Sequence, residues 1–205
     1  MKPVYWNKGV NYLSNKDEVL KKIIKRYPKE NLLLNNNYFH SLINSIIGQQ
    51  ISVAAANSIK RKLFSLKKNI TPRSILNIND INLRKCGLSR QKISYIKNIS
   101  IFFIKNKNLI KNIKNYSNDE IKELLIQIKG IGNWTIDMFL IFSLGAPDVF
   151  PEGDLGFLKS ISLNYKKKLP LNKKYLNLLK KKWSPYNSLA TWYLWRSLDP
   201  LPVNY

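Results

Sequence analysis

Apolar residues return every three or four positions along most of the chain, and no stretch alternates apolar with polar residues strictly over six positions. The pattern predicts helices throughout and no strand. Ser14 reads as the cap of a helix over 17–26, with Pro28 after its end. Positions 38–66 form a long amphipathic stretch broken at Gly48-Gln49-Gln50. Thr71-Pro72 is a cap followed by proline at the first helical position, so a short helix follows. A second short helix spans 80–85, with Gly87 as its stop, and Ser89 caps a third through position 105. Asn118 caps a helix over 119–127. Lys129-Gly130-Ile131-Gly132 then interrupts, and a further helix runs over 133–144 to Gly145. After the loop 146–153 a helix opens at Asp154, and two more follow over 173–182 and 185–198. The expected fold is all-α, one domain over 1–205, built as two helical lobes with an active-site cleft between them.

The most informative segment is LLIQIKGIGNWTIDMFLIFSL, positions 124–144. An apolar helix meets Gly130-Ile131-Gly132 and a second apolar helix begins. Glycines let the backbone approach another group closely, and the next helix starts with unpaired N–H groups. A phosphate fits there. This is the pattern of a helix-hairpin-helix, here about 119–144, which grips the DNA backbone without reading sequence. An ordinary turn between helices gives the same Gly-x-Gly. The carboxylates divide in a similar way. Asp17, Glu18 and Glu123 lie among lysines and read as solvated surface, whereas Asp137, Asp148 and Asp154 sit in lysine-free, apolar or glycine-rich surroundings. Taken alone, Asp154 after Pro151-Glu152-Gly153 is an N-cap.

Composition narrows the function class. Hydrophobic residues make up 44% of the 205 positions, which is a globular chain. Lys and Arg number 35 against 12 Asp and Glu, a net charge of +23, which points to a polyanion, nucleic acid before an anionic membrane. Lysine far outnumbers arginine, and Asn and Ile are abundant, a bias that AT-rich coding produces by itself, so total charge does not locate a site. One cysteine, Cys86, and one histidine, His40, exclude a disulfide framework, a thiolate zinc site, a four-cysteine iron–sulfur cluster and a multi-histidine metal site. Both read as structural residues. The first residues lack an apolar signal core, and the longest apolar runs, such as 138–144, are too short to span a bilayer. The expectation is an intracellular protein that works with DNA or RNA and has no membrane partner.

The run KGIGNWTIDMFLIF followed by DVFPEGDLGFLKSI resembles the helix-hairpin-helix and catalytic loop of the DNA-3-methyladenine glycosylase II family. SLINSIIGQQISVAAANSI, CGLSRQKISYIKNIS and SPYNSLATWYLWRSLD resemble that family's early GQQIS helix, its GLS-x-x-K segment and its C-terminal helix. The segments come in the family's order from Tyr38 to Asp199, and the short stretch before them suits the compact form without an N-terminal β domain.

The resemblance implies a monofunctional base-excision glycosylase. It would hydrolyse the N-glycosidic bond of flipped-out alkylated purines, 3-methyladenine first and 7-methylguanine as a further candidate, in double-stranded DNA, and leave an abasic site. It places the catalytic aspartate at Asp154, after the loop 146–154. A helix N-terminus favours negative charge there, so capping and catalysis are compatible. Asp148 is expected to brace the loop and Asp137 to be a buried hydrogen-bonding residue. Trp134, Met138 and Trp195 would line the base pocket, where aromatic faces attract cationic bases; Trp192, Tyr193 and Trp195 on one helix also fit a plain core. Gln50 would fill the gap left by the flipped base, while Gln49 and Gln50 could equally satisfy backbone groups at the helix break. Lys129, Gly130, Gly132 and Asn133 would contact phosphate, with Lys60, Arg61, Lys62 and Arg90 as exchangeable backbone contacts.

The resemblance requires no cofactor. It allows a structural monovalent or divalent cation on the backbone carbonyls of Ile126, Ile128 and Ile131. Strand-cutting relatives carry lysine at the second position after Gly-x-Gly, where this chain has Trp134. One departure stands out: family members often carry arginine where this chain has Asn187. The alternatives are a non-catalytic helix-hairpin-helix DNA-binding protein and a related glycosylase for deaminated or oxidised bases.

Overall fold

The computed structural model describes residues 1–198; Asp199, the last residue of the resemblance, lies outside the described residues. Among the described residues the secondary structure is helical, with no strand, and no helix is long and apolar enough to cross a membrane. The described residues divide into two compact units, one formed by 36–139 and the other by 1–35 together with 140–198.

The first unit contains α3 (Tyr38–Gly48), α4 (Val53–Ser65), α5 (Pro72–Leu76), α6 (Asp80–Lys85), α7 (Arg90–Lys105), α8 (Lys107–Lys111), a 3-10 turn (Ile113–Asn115), α9 (Asn118–Ile126) and α10 (Asn133–Phe139). Polar caps set most of these boundaries. Thr71 and Ser74 form a reciprocal capping box at α5, and Ser117 and Glu120 form another at α9. Ser117, not Asn118, is therefore the cap of α9, because the Glu120 carboxylate reaches back to its N–H. Gly87 stops α6 at φ +100°. Helix α7 buries Ile93, Ile96, Ile99 and Phe103 and packs against α3, α5 and α6. The short α8 carries no buried residue, so its sequence lacks the apolar stripe that reveals the other helices.

The second unit contains α1 (Trp6–Lys16), α2 (Glu18–Arg26), a π-helical turn (Leu140–Leu144), α11 (Leu155–Asn164), α12 (Lys173–Trp183) and α13 (Asn187–Arg196). Ser14 is not a cap. It lies inside α1, and the Asp17 carboxylate caps α2 by accepting the N–H groups of Val19 and Leu20. Asp17 is therefore buried and not the solvated surface residue that its lysine neighbours suggest, because Trp183 and Lys182 also take its other oxygen. Helix α1 buries Trp6, Gly9 and Leu13 on one face. Gly9 sits in that stripe because a Cβ there would lie 2.6 Å from Leu189. The predicted helix 133–144 widens into the π turn after Phe139 and stops at Gly145, at φ +66°. Every residue of α13 is buried, and it packs on α1, α2, α11 and α12.

Candidate functional site

In the second unit the loop 146–154 is pinned from the N-terminal end of α13. Ser188 Oγ donates to the Ala146 carbonyl at 2.6 Å and accepts the Val149 N–H at 3.0 Å. Asp148 braces the loop: it accepts from Ser184 Oγ at 2.7 Å and from Asn187 Nδ2 at 2.6 Å. At the position where the resembling family often has arginine, this chain thus holds Asp148 with a neutral amide and a hydroxyl. Phe150 lies edge-on against Phe157 with centroids 4.9 Å apart, which fixes the far side of the loop.

Asp154 closes the loop as the N-cap of α11. Its Oδ1 accepts the Phe157 N–H and the Trp195 indole N–H, the latter at 3.0 Å. Trp195 is 8% exposed, and its ring stacks on Phe142 at a centroid distance of 5.8 Å and an interplanar angle of 15°. Asp154 and Trp195, 41 positions apart, are thereby brought together, with the carboxylate orientation set by a backbone donor and an indole. Trp192 belongs to the core, edge-on to Trp6 at 5.1 Å.

In the first unit the hairpin between α9 and α10 presents Lys129, Gly132 and Asn133 to solvent. The two glycines differ. Gly130 has φ +105°, and a Cβ there would lie 2.1 Å from the Tyr95 ring, so the turn closes directly onto α7. A Cβ on Gly132 would meet nothing within 4 Å. Gly132 therefore leaves open backbone next to the start of α10. Ile128 and Ile131 are buried and Ile126 is exposed, and the Ile131 N–H donates to the Ile128 carbonyl at 2.9 Å. Trp134 and Asp137 on α10 are half-buried, so Asp137 is less enclosed than its sequence surroundings predict; Met138 is fully buried.

Gln50 follows α3 at φ +57°, a left-handed backbone, with its side chain exposed. Its neighbour Gln49 turns inward and donates to Thr135 Oγ1 at 3.2 Å and to the Gly130 carbonyl at 3.5 Å. Of the two glutamines it is Gln49 that serves the local structure. Sequence reasoning missed Phe142 behind Trp195, and it missed Tyr95 and Asn98 around the hairpin, whereas Gln49 meets a backbone carbonyl as one of its two readings expects. Their signals are contacts between distant positions, which no local pattern carries. Cys86 is buried at the end of α6 and burial pushes its thiol up, while His40 Nε2 lies 2.7 Å from the Ile70 carbonyl; both are structural.

Among the described residues no group of three His, Cys, Asp or Glu side chains could hold a metal ion. The hairpin carbonyls are neutral donors, and the Ile128 oxygen keeps a second lone pair beyond its turn hydrogen bond. That donor set fits a weakly held cation.

Residues 43–185 match the family model described as HhH-GPD superfamily base excision DNA repair protein. DNA-3-methyladenine glycosylase 1 of Schizosaccharomyces pombe is 33% identical over 195 residues, covering 91% of this chain and 85% of that protein. DNA-3-methyladenine glycosylase of Saccharomyces cerevisiae is 34% identical over 188 residues, covering 83% of this chain and 64% of that protein. The solved structure of the S. pombe 3-methyladenine DNA glycosylase in complex with abasic DNA superposes with a TM-score of 0.82 at 32% identity, covering 93% of this chain and 96% of the other.

Proposed function

The chain belongs to the HhH-GPD superfamily of base excision DNA repair proteins, and we propose that it is a monofunctional glycosylase that frees alkylated purines, 3-methyladenine above all, from double-stranded DNA. The observation that carries this reading is the Asp154 carboxylate, held at a helix N-terminus by Phe157 and Trp195 at the end of a pinned loop. A protein that only grips DNA has no use for an oriented anion facing a polyanion.

Breaking the N-glycosidic bond leaves positive charge on the sugar, and the base departs with the electron pair. The Asp154 carboxylate stabilises that charge, orients the water whose oxygen bonds to C1′ and takes the proton which that water loses. An alkylated, cationic purine leaves as a neutral base, so no strong acid is needed. Of the residues that the resemblance assigns to the base pocket, Trp134 and Trp195 carry aromatic faces that suit a cationic base, and Met138 is a buried residue of α10. Gln50 fills the gap in the duplex. Lys129, Asn133 and the N–H groups of Gly130 and Gly132 take the backbone phosphate. A cation on the carbonyls of Ile126, Ile128 and Ile131 would add positive charge beside that phosphate, and no step depends on it. Trp134 offers no amine for a Schiff base, which suits simple hydrolysis. We read residues 1–205 as one functional domain, a monomer acting inside the cell with the DNA.

The test is base release from methylated duplex DNA by the purified protein. The reading expects free 3-methyladenine and an uncut strand until alkali is added. Duplex binding without base release would make the chain a binding module. Strand cutting without alkali would reveal a lyase amine, and release of deaminated or oxidised bases alone would move the substrate class.

A further inference from the structure

Lys92 belongs to the GLS-x-x-K segment, which the chemistry above leaves without a task. It rises from the first turn of α7, half-buried, and its Nζ donates to the carbonyls of Ile47 and Gln49, both at 2.8 Å. Those carbonyls belong to the end of α3, where orphan acceptors and the negative end of the helix dipole favour a cation. The very next residue is Gln50, the exposed side chain on a left-handed backbone. A non-glycine residue at φ +57° is strained and persists only when its surroundings hold it. Lys92 supplies that hold from one side. Gln49 supplies it from the other, through Thr135 on α10 and the Gly130 carbonyl.

The same face of α7 holds the hairpin. Tyr95, one turn after Lys92, packs where a Cβ on Gly130 would be, and Asn98, one turn further, donates from Nδ2 to the Lys129 carbonyl at 3.2 Å. The three residues follow at intervals of three and so share a helix face. One rigid helix therefore fixes both the turn that carries Gln50 and the turn that carries Lys129, Gly130 and Gly132.

We propose that Lys92 is a positioning residue for base flipping: by clamping the carbonyls of Ile47 and Gln49 it holds the Gln50 turn in register with the phosphate-gripping hairpin, so that backbone binding and gap filling occur at one nucleotide. This inference rests on the glycosylase reading for its setting. Its test needs no base release. A duplex carrying a tetrahydrofuran abasic analogue opposite 2-aminopurine reports insertion at the gap, because the probe brightens when it is unstacked. At saturating protein, wild type brightens the probe. Lys92→Met, which keeps the aliphatic stem and loses the donor, loses more than half of that rise and leaves affinity for undamaged duplex and its salt dependence unchanged. Lys92→Arg restores the signal. Gln50→Ala produces the same loss, and the double variant loses no more than either single one, as expected when two residues act through one event.

Gln49→Ala, which removes the second tether and leaves Lys92 in place, gives a parallel loss and serves if Lys92→Met does not fold. An unchanged rise with Lys92→Met, or losses that add in the double variant, overturns the proposal. So does a wild type that does not brighten the probe at all. A wild type that unstacks the probe but releases no methylated base fails the glycosylase reading alone.

Discussion

The Trp195 indole N–H donates to Asp154 Oδ1 at 3.0 Å, and the same oxygen accepts the Phe157 N–H. One buried aromatic ring thus does two things: it offers a face stacked on Phe142 and it fixes the rotamer of the acid. Trp195→Phe keeps most of the ring and removes the donor. A hydrogen bond to a charged group contributes about 1.5–3 kcal/mol, so single-turnover excision should fall by roughly tenfold or more, with DNA affinity little changed. Equal losses in rate and affinity would mean that Trp195 serves only packing.

The two hairpin glycines should separate folding from binding. Gly130→Ala places a Cβ at φ +105° against the Tyr95 ring. The backbone strain alone is about 1–3 kcal/mol, which in a chain of this size lowers Tm by at least several degrees. Gly132→Ala meets open space, so its Tm should hold while affinity for duplex DNA falls, because the added methyl stands where a phosphate would approach. Thermal melting and a binding titration on both variants check this pair.

Most of the helical framework was legible from caps and glycine stops: the break at Gly48, the Thr71-Pro72 start and the Gly87 stop follow from local chemistry. Asp154 was legible as a cap from its place after Pro151-Glu152-Gly153. Helix α1 escaped because its buried stripe of Trp6, Gly9 and Leu13 has a glycine in the middle and polar residues around it, and missing it made Ser14 look like a helix start. The Asp154–Trp195, Asp148–Asn187 and Lys92–Gln49 contacts span 41, 39 and 43 positions. Periodicity reports which face of a helix is apolar, and it says nothing of which distant side chain that face will meet.

Asp17 should make the protein acid-sensitive. It is buried, caps α2, accepts the Trp183 indole N–H at 3.1 Å and pairs with Lys182 at 2.8 Å. Burial pushes its carboxyl up, but Lys182, Trp183 and the Leu20 N–H together outweigh that and hold it below its usual value of 3.8. With a folded-state value below the unfolded one, the unfolded chain binds the proton more readily as pH falls. The stabilisation is therefore complete above the unfolded value and is lost as pH drops through the folded one. Asp17→Ala should cost about 3 kcal/mol near neutral pH, since it leaves a buried indole N–H and a lysine without their partner. Its stability should also depend less on pH below about 4. Denaturant melts of both proteins across that range check the prediction.

The salt dependence of DNA binding locates the charge that matters. Lys129→Ala should weaken binding to damaged and undamaged duplexes alike and lower the slope of log K against log salt by about one. Lys68→Ala, at an exposed lysine assigned no part in the site, should leave that slope unchanged. Equal changes would mean that the net charge of +23 acts diffusely.

The most direct measurement is single-turnover excision of 3-methyladenine from duplex DNA by Asp154→Asn beside wild type. Asparagine caps a helix about as well as aspartate, so the variant folds and the loop keeps its place. The account predicts a rate lower by about 100-fold or more, with undiminished affinity for abasic DNA. Excision at the wild-type rate by a folded Asp154→Asn protein would contradict it, since the carboxylate would then have no part in breaking the bond.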